Sequence, residues 1–212
     1  MIAAIAWRIA LTSPRQPEAS EIGSFWSQRF AALCADAHGE RFRLQRDIEV
    51  ASLQQVLDEF ESELDAEELS AELFAYWEHP RPLAGAEAFL DQVKLPICIV
   101  SNIDDAALAC ALRNLGWSFE QVVTSESARA YKPRAEPFRA ALARLGCEPS
   151  QLLHVGDSIG GDLRGAAAFG IPFAWVNPAA RALPQRLEPP CHVVSGVEEL
   201  PALLAQALRS TR

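Results

Sequence analysis

Polar side chains that could bind an anion and a cation follow three apolar runs of this chain. Ser101 and Asn102 come directly after the first run. Lys132 follows the second by a short loop, and Asp157 and Asp162 follow the third. The carboxyl ends of parallel strands meet at one edge of a sheet, where ligands of open α/β sheets bind. We therefore expect Ser101, Lys132 and the two aspartates to converge around one pocket.

The two aspartates lie in the stretch Gln151–Gly170, which reads QLLHVGDSIGGDLRGAAAFG. The run Leu152–Val155 predicts a strand buried in a parallel sheet, and Gly156 allows a close turn after it. Two carboxylates at such a strand end are costly unless a cation neutralises them, and Mg²⁺ prefers carboxylate oxygens and water. The stretch therefore predicts Asp157 and Asp162 as Mg²⁺ ligands. The alternative is that both are turn and helix-cap residues, as aspartates often are.

The side chains after the other two runs suit an anionic oxygen. The hydroxyl of Ser101 and the amide of Asn102 can hydrogen-bond such an oxygen without adding charge. The ammonium of Lys132 is a mobile point charge that suits a phosphate or a carboxylate. Each has an ordinary alternative, because Ser and Asn also cap helices and most lysines lie on the surface. Lys132 is nevertheless one of only two lysines in the chain, the other being Lys94.

The order of the predicted elements indicates an α/β fold. From residue 85 onward, short apolar runs typical of strands alternate with stretches typical of helices. The predicted strands are Ile97–Val100, Val122–Thr124, Leu152–Val155, Phe173–Val176 and His192–Val194. The predicted helices are Gly85–Val93, Asp104–Leu115, Glu136–Leu145, Leu163–Phe169 and Val197–Leu208. This alternation predicts a doubly wound, mainly parallel sheet with right-handed crossovers.

The first 80 residues have a different pattern. The run Ile2–Trp7 (IAAIAW) predicts a further central strand. Between Ser20 and His79 the apolar residues recur at helical spacing, which predicts a small helical bundle. We therefore assign residues 1–13 and 80–212 to the α/β core and residues 14–79 to an inserted helical cap.

The composition argues against several classes of function. The formal net charge of -9 disfavours a nucleic-acid or anionic membrane surface, because both attract basic patches. No apolar run approaches the roughly 20 residues that cross a bilayer, and the start lacks the basic region of a signal peptide. The five cysteines are scattered without a C-x-x-C pair, which indicates reduced thiols and a cytoplasmic location. The four histidines show no metal-ligand spacing, and His154 is interpreted as a strand-end residue without chemistry.

The ordered set of strand-end residues resembles the haloacid dehalogenase superfamily of hydrolases. Ser101-Asn102 is similar to its second motif, Tyr131-Lys132-Pro133 to its third, and the stretch Gly156–Asp162 (GDSIGGD) to its fourth. The segment Pro82–Leu90 (PLAGAEAFL) is also similar to family members. The resemblance covers roughly residues 82–200, and the inserted helices match the position of the family's helical cap.

The resemblance implies a role for each of these residues. Ser101 would bind the phosphoryl group of a substrate, with Asn102 beside it. Lys132 would hold the nucleophile and the phosphoryl oxygens, and Asp157 and Asp162 would hold Mg²⁺. Family dehalogenases use no metal and carry a Ser- and Asn-rich fourth motif, so the two aspartates favour Mg²⁺-dependent phosphoryl transfer. The segments SNIDDAAL and YKP are similar to those of dehalogenase-type members, so a metal-free dehalogenase is kept as an alternative.

The family's first motif is missing from this chain. It is Asp-x-Asp-x-Thr after the first strand, and its aspartates are the nucleophile and the general acid/base. Aligned on IAAIAW, these positions fall on Arg8 and Ala10, with Thr12 matching the threonine. Either the N-terminal sequence is misassigned or frameshifted, or the protein has lost the activity. In the second case we expect Arg8 to pair with Asp157 or Asp162 in place of a metal.

The sequence thus predicts a Mg²⁺-dependent phosphatase for a small phosphorylated metabolite, with Lys132 and Thr12 in catalytic roles. A metal-free 2-haloacid dehalogenase is the alternative enzyme. A catalytically silent binding or regulatory protein on the same fold is the alternative of another class, and Arg8 and Ala10 favour it. The expected partner is a small anionic molecule and neither nucleic acid nor a membrane. The exposed part of the cap leaves a homodimer open.

Overall fold

A computed structural model of the chain describes residues 1–185 and 187–210. Its helices are α1 (Ile2–Thr12), α2 (Ala19–Asp36), α3 (Gln45–Glu59), α4 (Ala66–Glu78), α5 (Ala86–Gln92), α6 (Asp105–Leu115), α7 (Ser125–Ala128), α8 (Ala135–Leu145), α9 (Arg164–Ala168) and α10 (Leu200–Ser210). Its strands are β1 (Cys98–Ser101), β2 (Gln121–Thr124), β3 (His154–Gly156), β4 (Phe173–Val176) and β5 (His192–Val194). None of the described helices has the length and hydrophobicity needed to cross a membrane.

The chain divides into two compact units. The first consists of Met1–Pro80, Ser101–Ser118 and Thr124–Tyr131. The second consists of Arg81–Val100, Phe119–Val123 and Lys132–Arg212. This division differs from the predicted boundaries, because residues 1–13 belong with the helices that follow them. Two later segments, one of which carries α6, belong to the same unit.

Helix α1 occupies the place of the strand predicted at the N-terminus, so that prediction was wrong. Ile5 and Ile9 are fully buried, whereas Trp7 and Leu11 are 60% and 70% exposed. Burial at positions i and i+4 is the period of a helix, whereas a strand would place all four side chains on one face. The alanines of this segment also favour helix. The buried isoleucines pack in one apolar cluster with residues of α2, α3 and α4, and that packing decides the conformation.

The predicted helices of residues 20–79 are confirmed as α2, α3 and α4. Their apolar residues meet in the cluster that also receives α1, around Ile22, Trp26, Leu53 and Leu73. Trp26 donates its indole N–H to the buried hydroxyl of Ser52 at 3.0 Å, which satisfies the polar edge of a core side chain. The helical half of the expected architecture therefore has a core of its own.

Most of the strand residues belong to the second unit, and the strands form two small sheets. Strands β3, β4 and β5 pair in parallel in that order, with His154 opposite Phe173 and Ala174 opposite His192. Strands β1 and β2 form a separate pair. Strand β4 is wholly buried, as a central parallel strand should be. In the described parts of the chain, no strand pairs with the second edge of β1 or of β3. The α/β class with parallel strands is confirmed.

Candidate functional site

Lys132 and Asp162 form a buried ion pair in the second unit. The lysine Nζ lies 2.7 Å from Oδ1 of the aspartate, and the two side chains are 11% and 7% exposed. The same ammonium donates a hydrogen bond of 2.7 Å to the backbone oxygen of Val100, in β1. Lys132 therefore links the carboxyl end of β1 to the residue that follows β3 by a short turn. The predicted proximity of Lys132 and Asp162 is therefore present in the structure.

Both oxygens of the Asp162 carboxylate accept hydrogen bonds. Oδ1 accepts from Lys132 and, at 2.9 Å, from Nε2 of His154, while Oδ2 accepts from the backbone N–H of Ser158 at 3.1 Å. Burial by itself raises the pKa of this carboxyl, but the hydrogen bond from His154 and the charge of Lys132 outweigh it. They lower the pKa of Asp162 to about 2. Asp162 is therefore ionised at neutral pH, and its acceptor positions are engaged by the protein.

The local sequence brings Asp162 back onto the end of β3. A Cβ atom on Gly156 would lie 2.6 Å from the carboxylate carbon of Asp162, so only glycine leaves room for that carboxylate. Ser158 precedes a π-helical turn, Ile159–Leu163, and its hydroxyl accepts from the backbone N–H of Gly161 at 3.0 Å. The turn reverses the chain within five residues, which places Asp162 beside the strand that precedes it.

Asp157 has a different environment from Asp162. Its backbone oxygen accepts hydrogen bonds from the indole N–H of Trp175 at 3.1 Å and from the guanidinium of Arg181 at 2.7 Å. Its side chain is exposed. Among the described residues, no hydrogen-bond or ion-pair partner contacts its carboxylate. The backbone of Asp157 is thus fixed at the end of β3 while its carboxylate can bind a ligand.

The described residues do not complete a Mg²⁺ site. Mg²⁺ requires a near-octahedral set of oxygen ligands. Asp157 offers a carboxylate, but Asp162 is already engaged by three N–H donors. Within residues 1–185 and 187–210, no group of three or more His, Cys, Asp or Glu side chains could hold a metal ion. Mg²⁺ is often held by one or two carboxylates together with water and substrate oxygens, and the exposed carboxylate of Asp157 could supply one such ligand. The joint Mg²⁺ site predicted for Asp157 and Asp162 stays a prediction.

The residues of the second motif lie at the end of β1. Ser101 is the last residue of that strand and directly follows Val100, and both Ser101 and Asn102 are half-buried. Two residues further on, the carboxylate of Asp104 accepts from the backbone N–H groups of Gln45 and Arg46 at 2.6 and 3.1 Å. Asp104 thus caps the first turn of α3. The substrate contacts of Ser101 and Asn102 stay predictions.

Arg8 and Ala10, aligned above with the family's catalytic aspartates, both lie on α1. The alignment assumed a strand, so it has no support in this structure. The guanidinium of Arg8 pairs with Glu72 of α4 at 2.6 Å, at an exposed position. The hypothesis that Arg8 replaces a metal by pairing with Asp157 or Asp162 is therefore wrong.

Thr12, predicted to be catalytic, is the last residue of α1. Its hydroxyl donates to the backbone oxygen of Arg8 at 3.1 Å, and it lies 2.7 Å from the hydroxyl of Ser62. These are contacts of a helix end with a neighbouring loop. They account for the position of the Thr12 hydroxyl, and its catalytic role stays a prediction.

His154 is the residue of this site that sequence reasoning missed. It is buried, and its ring lies edge-on to Phe138 at 5.3 Å and stacks on Phe173 at 5.8 Å. No chemistry was predicted for His154 because it was interpreted as a strand-end residue and the four histidines show no metal-ligand spacing. The available signal was its place eight residues before Asp162, in the strand that carries the fourth motif.

A separate cavity of about 700 Å³ lies in the first unit, between α3 and α4. Arg43, Arg46 and Ser70 are among the residues that line it, and none of the predicted site residues is. Arg46 is already stacked on Phe74 and bonded to Glu78. The cavity is therefore not the pocket predicted around the residues that follow the strands.

Comparison with known proteins agrees with the observed fold. The sequence model of the haloacid dehalogenase-like hydrolases matches residues 7–170. An (S)-2-haloacid dehalogenase of Pseudomonas fluorescens is 28% identical over 135 residues, which are 61% of this chain and 59% of the relative. The pyrophosphatase PpaX of Bacillus velezensis is 36% identical over 103 residues, which are 44% of this chain and 47% of the relative. The matched parts thus span about half of these relatives' own lengths.

The similarity extends to a solved structure. The L-2-haloacid dehalogenase of Xanthobacter autotrophicus superimposes with a TM-score of 0.76 at 21% identity, over 97% of this chain and 93% of that one. At this identity the superposition shows a shared fold. The family's sequence model covers well over half of the chain. The chain belongs to the haloacid dehalogenase-like hydrolases.

Proposed function

We propose that this protein binds a small anionic substrate at Lys132 and that the substrate is a phosphate ester, which it hydrolyses. The observation that carries the proposal is the buried ammonium of Lys132, anchored between the Val100 carbonyl and Asp162. A lysine held at two points presents a fixed positive charge at the strand ends. Such a charge binds the oxygen of a phosphoryl group or a carboxylate.

Asp157 favours a phosphate ester over a haloacid. Its loop returns to Lys132 at Gly161, where an added Cβ would lie 3.6 Å from the lysine Cβ. An exposed carboxylate in this loop repels an anionic substrate unless a cation accompanies that substrate. Metal-free dehalogenation has no use for such a carboxylate. The proposal therefore includes a requirement for a divalent cation, to which Asp157 would contribute a carboxylate while water and the phosphate ester would supply other oxygens.

A 2-haloacid dehalogenase is the second candidate. It is supported by the similarity to the (S)-2-haloacid dehalogenase of Pseudomonas fluorescens. A 2-haloacid carries a carboxylate, which the Lys132 ammonium would hold as well as a phosphoryl oxygen. Under this candidate Asp157 has no role in the reaction.

A silent binding protein is the third candidate, and the absence of an assigned nucleophile favours it. Both hydrolytic reactions of this family begin with an attacking carboxylate. In the described chain, Arg8 and Ala10 lie on α1, and Asp162 is engaged by three donors. Such a protein would bind the anion at Lys132 without turnover.

One set of assays separates the three candidates. Release of phosphate from p-nitrophenyl phosphate and of chloride from (S)-2-chloropropionate is measured with and without Mg²⁺. The variants are Lys132→Met, Asp157→Asn and, as a matched control, Lys94→Met at the other lysine. For a phosphatase we expect Mg²⁺-dependent phosphate release that falls about 100-fold in Lys132→Met and at least about 10-fold in Asp157→Asn. Lys94→Met should retain the full rate.

The dehalogenase and the silent protein would each give a different result in these assays. Chloride release without Mg²⁺, unchanged by Asp157→Asn, would assign the dehalogenase. No turnover, together with binding of inorganic phosphate that Lys132→Met abolishes, would assign the silent protein. Equal behaviour of Lys132→Met and Lys94→Met in every assay would overturn all three candidates, since each depends on Lys132.

A further inference from the structure

We propose that His154 is a positioning residue for Lys132. Its ring N–H fixes the Asp162 carboxylate, and that carboxylate fixes the ammonium that binds the substrate's anionic group. This inference rests on the function proposed above for Lys132, but its structural part can be tested without any substrate.

The ring of His154 is held on two sides. Phe138 meets it edge-on at 5.3 Å and Phe173, its register partner on β4, stacks on it at 5.8 Å. The backbone N–H of His154 donates to the oxygen of Pro172 at 2.9 Å, which ties the start of β3 to its neighbour. These contacts restrict rotation of the ring, so Nε2 points in one direction.

The hydrogen bond between His154 and Asp162 has a defined donor. Asp162 is ionised, and an ionised carboxylate only accepts. Nε2 of His154 must therefore carry the hydrogen that bridges the 2.9 Å to Oδ1. The histidine acts as a rigid donor that is part of the strand and not of a loop.

The shared oxygen transmits this constraint to the lysine. Oδ1 of Asp162 accepts from His154 and from Lys132, and Oδ2 accepts from Ser158. If the His154 donor is lost, the carboxylate keeps fewer anchors and can rotate about its Cβ–Cγ bond. A lysine side chain has four rotatable bonds, so the position of its ammonium depends on such anchors. The substrate-binding charge therefore moves when the histidine donor is removed.

The two lysines of the chain allow a direct measurement. Protein labelled with ¹⁵N-lysine gives two ammonium signals, and Lys94 serves as the internal reference. His154→Phe keeps an aromatic ring and removes the donor, whereas His154→Gln keeps an N–H donor. Phe169→Leu is the packing control, because Phe169 stacks on Phe138 at 6.0 Å and makes no polar contact with Asp162. We expect the Lys132 signal to shift in His154→Phe, to return toward its original position in His154→Gln and to stay in place in Phe169→Leu.

Binding of inorganic phosphate, measured by calorimetry, gives the functional readout. Loss of one hydrogen bond to a charged group should weaken phosphate binding roughly 5- to 10-fold in His154→Phe and less in His154→Gln. Lys132→Met should abolish it. An unshifted Lys132 signal in His154→Phe, or an equal shift in Phe169→Leu, would overturn the inference. Phosphate binding that survives Lys132→Met would instead overturn the proposed function. Should His154→Phe not fold, His154→Leu carries the same expectations.

Discussion

At the scale of single residues, Gly156 and Asp162 depend on each other. The carboxylate of Asp162 occupies the volume that a side chain at residue 156 would need. Gly160 lies in the same loop and offers a matched comparison, because an added Cβ there would meet nothing within 4 Å. The two glycines therefore separate the effect of a contact from the effect of a glycine as such.

Gly156→Ala should destabilise the protein by about 1–3 kcal/mol, the usual consequence of forcing an extra methyl group into a packed site. It should also shift the ammonium signal of Lys132, because Asp162 must move. Gly160→Ala should change the free energy of unfolding by less than about 0.5 kcal/mol. Urea unfolding measures both. Equal destabilisation by the two substitutions would show that Asp162 does not lie against β3 as described.

Glu49 is a buried acid outside the candidate site. It lies in α3, is 5% exposed, and its Oε2 has no hydrogen-bond partner in the described chain. Burial raises the pKa of Glu49 from 4.5 to about 7. The folded protein therefore holds this proton to higher pH than the unfolded chain does. Stability contributed by the protonated form is full below about pH 4.5 and is lost as the pH rises through 7.

Glu49→Gln should remove this pH dependence. At pH 8 we expect the variant to be more stable than the parent protein by about 1–3 kcal/mol, since each pKa unit corresponds to about 1.4 kcal/mol. At pH 4.5 the advantage should vanish. Glu63→Gln, in the exposed loop after α3, is the control and should show no such trend. Chemical unfolding at several pH values tests this, and a parallel trend in the two variants would contradict the burial of Glu49.

At the scale of elements, α1 makes a prediction that distinguishes a helix from a strand. In a strand Ile9 and Leu11 would share a face, whereas in α1 Ile9 is fully buried and Leu11 is 70% exposed. Ile9→Ala should lower the free energy of unfolding by about 2–4 kcal/mol, and Leu11→Ala by less than about 0.5 kcal/mol. Thermal and urea unfolding supply the values. Similar losses of unfolding free energy in both variants would indicate that this segment is a strand and not a helix.

Several elements were predictable because their signals are local. The strands Phe173–Val176 and His192–Val194 have the predicted bounds. Helices α6 and α8 end where predicted, at Gly116 and Gly146, whose φ angles of 69° and 63° suit glycine. By contrast, IAAIAW is short enough for either conformation, and only its distant packing partners make it a helix. The division of the strands into two sheets also depends on long-range pairing that no local pattern carries.

The candidate site was predictable only in part, for the same reason. The order of the motifs placed Lys132 near Asp162, because strand ends of a parallel sheet meet. The sequence did not show that the carboxylate of Asp162 accepts hydrogen bonds from the protein while that of Asp157 is exposed to solvent. Both residues are aspartates of one short segment, so residue type alone does not distinguish them. It also did not reveal His154, whose chemistry depends on a contact across a turn and on two aromatic rings that hold it.

At the scale of the whole molecule, the path of the chain couples the two compact units. The chain passes from one unit to the other after residues 80, 100, 118, 123 and 131. Both β1 and β2 have residues in each unit. Unfolding of either unit therefore removes the ends of strands that the other contains. We expect a single cooperative transition, although the apolar clusters of the two units share no residue.

Two substitutions test this coupling. Ile9→Ala weakens the first unit, and Gly165→Ala places a methyl group against the ring of Phe138 in the second. Each should lower the midpoint of one common transition, followed in parallel by tryptophan fluorescence and circular dichroism. Separate transitions, each shifted by only one of the substitutions, would show that the units unfold independently.

The bond from Lys132 to the Val100 carbonyl has a consequence beyond ligand binding. Val100 lies in β1, a strand with one edge unpaired in the described chain, and uncovered carbonyls on such an edge recruit strands from other molecules. Lys132→Met would leave the Val100 carbonyl without this donor, and we expect that loss to favour intermolecular pairing of the strand. We expect Lys132→Met to aggregate and scatter light at protein concentrations at which solutions of Lys94→Met show no scattering. The activity of Lys132→Met must therefore be measured in dilute solution.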